Sequence, residues 1–542
     1  LKAVIIDGYV DEPAVLGVPP YVSTYIRYAA GALMFHGIEV DYYTIDQIRN
    51  SDLWKAFNNY EYIIIISGTT VPGHYFRGTP ISIKEIKNIF SLNKNPLRVL
   101  GGPITKGYTI TGGKAAIELK KILENTVDFL VEGSIEKFLF DYPVSDNYSL
   151  KDFSDYDLID LVSNLGAEIL KKHPFYPDII PEIEISKGCD RKEGFCSFCT
   201  EPMISGKYKE RTLKSIITEL NCISNVGVKN IRFGRSANFL AYGMTFNNFK
   251  PNSNIFEQLY SSIKDDFEII HTDNANPFFI VDHEKEVRKI LEIITKYNSS
   301  GDILSFGVET FDSKVSKANN IINDPKKALK AIEIVNEIGS VRDKNNIPKL
   351  LPGINILYGL LNEDDETYKI NMETFDHILK KDLLLRRVNV RQVMAFPGTM
   401  LYNKGNKKIN KKLFLKFKDY MKEFDKSMLE KVFPIGTKIN NIIVEKQQGN
   451  ISFGRPLGTY PILCGSNDKK NLYSKFNGIV VDHGSRSLTV IPENKKIFEL
   501  SNQEISSIKG FSKKTANKIK FDMNIDFLDD DRIETLKNLK LI

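Results

Sequence analysis

Short apolar runs alternate along much of the chain with longer stretches in which apolar positions recur every three to four residues, the pattern of buried strands interleaved with amphipathic helices. In residues 1–145 the strand candidates are Ala3–Asp7, Glu39–Thr44, Glu61–Ser67, Arg98–Leu100 and Val127–Val131, with helical spans between them that include Tyr21–His36. Residues 181–400 carry six more: Glu182–Ser186, Lys229–Gly234, Glu268–Asp273, Ile303–Glu309, Gly353–Gly359 and Val388–Phe396. The segments between these are helix-length, and in Thr212–Val226 the residues Ile216, Ile217, Leu220 and Ile223 fall on one face. Such alternation predicts an α/β fold with parallel sheets. The N-terminal part reads as a doubly wound sheet, with glycine turns Gly101-Gly102-Pro103 and Glu132-Gly133 at strand ends, where such folds bind ligands. Residues 146–180 read as a linker.

The pattern changes past residue 400. Residues 401–436 read as a basic helical segment with Leu413, Phe417, Met421 and Phe424 inward; Lys404–Lys431 holds ten lysines against four acidic residues. Scattered acids favour a solvated helix face over a phosphate track. Residues 437–495 read as a small β-rich module, in which Gly454–Tyr460 is a binding loop or a tight turn, and 496–542 as a helical tail.

With 542 residues and 42% hydrophobic content the chain is expected to form several domains with ordinary cores. No charged-then-apolar leader opens it and the run Ile63–Ile66 is too short to span a bilayer, so a cytoplasmic protein with no membrane partner is expected. Of five cysteines, Cys189, Cys196 and Cys199 lie within eleven residues, separated by the charged run Asp190-Arg191-Lys192-Glu193. Buried structural cysteines do not suit such a loop, and a closed zinc site wants a fourth ligand that the solitary Cys222 and Cys464 do not supply. Three thiolates suit an iron–sulfur cluster with one iron left free for an outside ligand. The loop follows the first strand of the 181–400 region. In parallel α/β barrels the strand ends form the site, and Gly234-Arg235-Ser236, Asp273-Asn274, Glu309 and Gly359–Glu363 fall there too.

In this motif order residues 181–400 resemble the core of the radical S-adenosylmethionine (SAM) superfamily, which implies a partial (β/α)6 barrel. The resemblance implies that Cys189, Cys196 and Cys199 hold a 4Fe-4S cluster and that SAM chelates the fourth iron. Reduction by a low-potential electron donor would then release a 5′-deoxyadenosyl radical. It further implies cofactor contacts from Phe198 near the adenine, from Gly234, Arg235 and Ser236 to the methionine amino group, from Glu309 to ribose or methionine, and from the turn Gly359 to Glu363. The gap between Cys189 and Cys196 is longer than the family's usual spacing, which loop-closure entropy tolerates.

Upstream, Val99-Leu-Gly-Gly-Pro103 and Val127–Gly133 resemble the cobalamin-binding domain that precedes many such cores, although the family's cobalt-ligating histidine loop is replaced by Asp7–Pro13; His74 is a candidate polar contact or a plain loop histidine. Methylthiotransferases carry further N-terminal cysteines, and residues 1–188 have none. Residues 500–519, with Gly510-Phe511-Ser512 as the turn and Lys513, Lys514 and Lys518 beside it, resemble a helix-hairpin-helix module, implying nucleic-acid contact over 500–520. The whole resembles an archaeal group of the superfamily. The expected function is hydrogen abstraction from an unidentified substrate, RNA being the favoured class. The alternatives are cobalamin-dependent methylation of a small molecule or protein, and a non-catalytic nucleic-acid-binding protein with a structural cluster.

Overall fold

The computed structural model describes residues 1–11, 16–69, 77–109, 112–142, 155–191, 194–321, 324–405 and 408–542. His74, Lys192 and Glu193 lie outside them.

The N-terminal sheet is wholly parallel, in the spatial order Glu39–Thr44, Lys2–Asp7, Tyr62–Ile66, Leu97–Gly101, Phe129–Leu130. The first strand in sequence lies between the second and third, so the winding direction reverses there and helices cover both faces. The central strand Tyr62–Ile66 is buried on both sides, which is why it reads as an unbroken isoleucine run. The fifth strand shrinks to Phe129–Leu130.

Tyr21 and Val22, expected in the first helix, form instead a short strand that leaves this unit and pairs with Ile180–Glu184. Pro19 and Pro20 precede it and resist helix, and the helix Thr24–Phe35 begins only after the extended Ser23. Part of the expected linker is also structured: Asp155–Gly166 is a helix that crosses Thr24–Phe35 closely enough for a Cβ on Gly31 to meet the Val162 carbonyl oxygen at 1.9 Å. Only glycine permits that approach.

The central region forms two parallel arcs. One runs Ile269–His271, Asn230–Gly234, Ile180–Glu184, Tyr21–Val22; the other runs Asn274–Ala275, Asp302–Glu309, Leu350–Tyr358, Arg387–Gln392. The expected strand Glu268–Asp273 is thus broken at Thr272–Asp273. Thr272 gives its backbone N–H to the Asp302 carboxylate at 3.0 Å, and Asp273 turns to Arg232 and to the Ser236 N–H at 2.8 Å, so side-chain carboxylates replace ladder bonds there.

Lys411–Val432 is one helix with Phe417, Met421 and Phe424 buried. Beyond it, Lys438–Gln448, Ile451–Arg455, Leu463–Ser466, Lys475–His483 and Ser487–Pro492 close into a barrel in the order first, second, third, fifth, fourth. All pairs are antiparallel except third with fifth. This is the connectivity of an OB-fold. The tail comprises Asn502–Ser506, Lys513–Asp522 and Asp530–Asn538. No helix among the described residues is long and apolar enough to cross a membrane.

A buried ion triad joins the first two units: Arg27 of the N-terminal helix and Arg211 both bond Glu219, on helix Leu213–Asn225, and all three side chains are fully buried. Two guanidiniums share one carboxylate, so removing it leaves Arg27 without its ion-pair partner and Arg211 with only Asp160, at 3.4 Å. Glu219→Ala is expected to cost about 3–5 kcal/mol, checked by denaturant unfolding of the full chain; a loss below about 1 kcal/mol would show that water reaches the triad.

Candidate functional site

One cavity of about 1830 Å³ dominates the described residues. Its wall takes in Cys189, Cys196, Cys199, Phe198, Arg235, Glu309 and the inner face of the last barrel strand, together with Thr69 and Pro103 of the N-terminal unit and Arg455 and Tyr460 of the C-terminal barrel. That volume exceeds the roughly 300–1,000 Å³ of a site for one small ligand.

The cysteine loop is held at both ends. Gly188 has φ +79°, and a Cβ there would meet the Lys207 backbone at 2.7 Å, so glycine is required; its N–H donates to Glu201 at 3.0 Å. At the far end Ser197 donates to the Asn319 side chain at 2.7 Å, and the Cys199 N–H closes a turn on the Cys196 carbonyl at 3.1 Å. Arg191 points a guanidinium N–H at the Cys196 sulfur, 3.2 Å away. Burial raises the thiols of all three cysteines, that of Cys196 to about 11, and Cys196 adds to the rise at Cys199. Thiols so placed ionise only against a strong local positive charge, which is what a bound metal centre supplies. No group of three or more ligating side chains among the described residues converges on a single ion. Three thiolates leave a closed zinc site one ligand short, so the donor set fits a cluster better than zinc.

The other expected site residues divide. Phe198 lines the cavity with Cys196, Phe278 and Leu357, all packed against the buried cluster that includes Val315, Leu360 and Val393. Glu309 also lines it: a register shift at the strand end and φ +63° swing its side chain inward. Burial lifts its carboxyl to about 8, partly offset by Arg391, so it is a neutral hydrogen-bond donor at pH 7. Arg235 lines the wall but is engaged, with Glu184 at 3.0 Å and the Tyr25 ring at 4.2 Å. Gly234 and Ser236 lie off the cavity wall. A Cβ on Gly234 would meet Glu182 at 2.7 Å, and Ser236 is fully buried against Asp273 and Ser186. Glu363 is likewise turned away, accepting from the Gly359 and Leu360 N–H groups at 2.6 and 3.2 Å and so closing the turn after its strand.

The segment Gly454–Tyr460, open between loop and turn, inserts into the flank of the central barrel. Tyr21 donates its hydroxyl to the Gly458 carbonyl at 2.6 Å, and the Thr459 N–H donates to His271 Nδ1 at 2.7 Å. Gly458 has φ +151°, and a Cβ would meet the His271 ring at 2.8 Å. In the tail, Gly510 has φ +90° and Ser512 caps the next helix by accepting from the Thr515 N–H at 3.0 Å, with Lys513 and Lys514 exposed and Lys518 against Phe527 at 4.0 Å.

Sequence reasoning missed Arg386, Arg387, Asn389 and Arg391, all on the cavity wall. The signal was there: polar residues alternate with Val388 and Val390 at period two, so one face of the last strand is charged where a buried strand would be apolar.

Comparison with known proteins adds relatives to this geometry. Residues 183–394 match the family described as the Radical SAM superfamily. An uncharacterised protein of Methanocaldococcus jannaschii is 41% identical over 515 residues, covering 92% of this chain and 94% of that protein. One from Archaeoglobus fulgidus is 34% identical over 524 residues, covering 94% and 93%. A tRNA-2-methylthio-N(6)-dimethylallyladenosine synthase of Malacoplasma penetrans is similar over a shorter stretch, 24% identical with 36% of each chain covered. Among solved structures, the radical S-adenosylmethionine methyltransferase TsrM from Kitasatospora setae, with cobalamin and a [4Fe-4S] cluster bound, superposes with TM-score 0.50 over 74% of this chain and 76% of that one. At 12% identity this likeness shows shared fold alone.

The raised Glu309 carboxyl carries a sign. Its folded value lies above the ordinary 4.5, so its stabilising contribution is complete below pH 4.5 and is lost as pH rises through about 8. Between pH 6 and 9 the stability of Glu309→Gln relative to the parent is expected to improve by about 2 kcal/mol, measured by denaturant unfolding at both pH values; an unchanged difference would place the carboxyl in water.

Proposed function

The chain belongs to the radical S-adenosylmethionine superfamily and is an enzyme whose cofactors are a 4Fe-4S cluster and SAM, and from that premise we propose that it abstracts hydrogen from a substrate held in the barrel cavity. The observation that carries this reading is that the three cysteines and Glu309 open onto one chamber too large for a single cofactor. When bound, the reduced cluster supplies the electron that cleaves SAM to methionine and a 5′-deoxyadenosyl hydrogen abstractor.

The residues of the chain divide the remaining work. Cys189, Cys196 and Cys199 would hold the cluster, one protein ligand short of its four irons, so that SAM could bind there. Arg191, at 3.2 Å from the Cys196 sulfur, donates to a ligand thiolate and stabilises its charge. Phe198 and Leu357 form an apolar wall beside the cysteines that keeps water from a reactive species. Glu309, neutral and half-buried at its bulge, offers an O–H to a cofactor hydroxyl or carboxylate. Gly359 and Glu363 set the turn behind this wall and act on the cofactor only through it.

A second reading, cobalamin-dependent methyl transfer, has its own observation. The N-terminal sheet sends Thr69 and Pro103, from the C-terminal ends of its strands, into the same cavity wall as the cysteines, the edge at which doubly wound sheets bind ligands. Among the described N-terminal residues on that wall none is a histidine, and His74 lies outside the described residues. Visible absorption of protein reconstituted with hydroxocobalamin and desalted decides: a retained corrinoid spectrum supports methyl transfer, and a colourless N-terminal unit rejects it. RNA as the substrate class draws on the OB connectivity and the lysines beside Gly510.

For the radical reaction, anaerobically reconstituted protein is expected to hold about four irons per chain and to form 5′-deoxyadenosine from SAM and dithionite. Cys199→Ala should form none. Iron-replete parent protein that releases no 5′-deoxyadenosine would sink the radical reading and favour a binding protein with a structural cluster.

A further inference from the structure

The last barrel strand, Arg387–Gln392, directs a row of polar side chains into the cavity, and Arg386 just before it lines the same wall. Arg386 spends one N–H on the Tyr460 carbonyl at 3.2 Å and lies beside the Phe433 ring. Arg387 spends one on Asn389 at 2.7 Å and lies over the Tyr460 ring at 3.8 Å. A guanidinium has five N–H donors, and the rest of these find no protein acceptor among the described residues. Nor does any described carboxylate form an ion pair with Arg386, Arg387 or Arg391. Asp425, whose charge acts on both Arg386 and Arg387, is paired with Arg486 at 3.0 Å, and Glu445 is taken by Arg455 at 2.6 Å and by Arg77. Asp11 also lines the cavity and its charge acts on Arg387, though the two form no ion pair. Glu309, facing Arg391, is neutral at pH 7.

We propose that Arg386 and Arg387, with Arg391 farther along the strand, bind a phosphate group carried by the substrate. This deepens the reading of the cavity as the substrate chamber and rests on it. Clustered positive charge deep in a protein is costly unless an anion completes it. Burial, aided by the neighbouring charge of Arg387, pulls the Arg386 guanidinium down to about 10, and burial lowers that of Arg387 too, while both stay charged at neutral pH. Planar forked donors match phosphate oxygens in pairs. Asn389, bonded to Asn355 at 2.9 Å, adds neutral amide polarity between Arg387 and Arg391 without adding negative charge. The aromatic faces of Tyr460 and Phe433 fix the two guanidiniums in place, so little side-chain freedom is lost on binding. The strand runs from Arg387 toward the end that carries Arg391 and Glu309, so a substrate gripped by its phosphate at Arg387 extends toward the cysteine end of the barrel.

The test is calorimetric titration of inorganic pyrophosphate into the cluster-reconstituted full chain with SAM present, so that the SAM carboxylate is not the competing anion. Saturable binding is expected, weakened about tenfold to a hundredfold in Arg387→Gln and in Arg386→Gln, with partial recovery in Arg387→Lys. In the parent protein, phenylglyoxal labelling of Arg386 and Arg387 read by mass spectrometry should be suppressed by pyrophosphate, which needs no variant to fold. Absence of binding, or binding that leaves both arginines open to label, overturns the proposal. Succinate binding as tightly as pyrophosphate would overturn it in favour of a carboxylate site. A single-stranded oligoribonucleotide that protects the same arginines supports a phosphate in an RNA chain, and protection by pyrophosphate alone supports a small phosphate ester. Pyrophosphate binding without 5′-deoxyadenosine release would overturn the radical reading and leave the anion site standing; release without pyrophosphate binding would do the reverse.

Discussion

A parallel barrel that stops short of closure leaves an open flank with unpaired backbone on its last strands, and this constraint organises the rest of the chain. The flank is filled from three directions. Tyr21–Val22 crosses from the N-terminal unit to pair with Ile180–Glu184 on one side. On the other, residues 113–116 pair past the last strand, with Gly113 and Ala116 donating to Val393 and Ala395 at 3.1 and 2.8 Å. Between them the Gly458–Tyr460 loop of the C-terminal barrel seats on Tyr21 and His271. The polar edges are satisfied without a seventh or eighth strand, and the space so enclosed is the cavity.

Charge is handled in two ways within that enclosure. Where it is structural it is paired and buried: Arg27 and Arg211 on Glu219, and Arg232 between Glu182 and Asp273. These networks tie the N-terminal helix to the barrel and join neighbouring barrel strands. On the cavity wall Arg235 and Arg455 are paired with Glu184 and Glu445, whereas Arg386 and Arg387 have no carboxylate ion-pair partner among the described residues. The contrast within one barrel separates framework from ligand surface.

The same division applies to the residues carried by the family resemblance. Cys189, Cys196, Cys199, Phe198 and Glu309 open to the cavity, while Gly234, Ser236 and Glu363 are spent on packing and turn closure. Arg235 reaches the wall but is locked against Glu184 and Tyr25. A motif position therefore marks a strand end reliably, but whether its side chain reaches the ligand depends on what else occupies the adjoining space.

What the sequence determined by itself was whatever is encoded between near neighbours: the alternation of strands and helices, the parallel sheets that follow from it, and the thiol triplet with its glycine turn. Periodicity and spacing report these because burial of a strand face or closure of a short loop is decided within a few residues. Only the tertiary structure decided that Tyr21–Val22 is a barrel strand, that Gly458–Tyr460 closes the flank, and that Arg386, Arg387 and Arg391 share a chamber with cysteines some two hundred residues earlier. Those outcomes rest on pairing between distant segments, whose partners no local pattern names. The charged face of the last strand was visible as an alternation, yet its inward direction follows only from barrel curvature and from the plug that covers it.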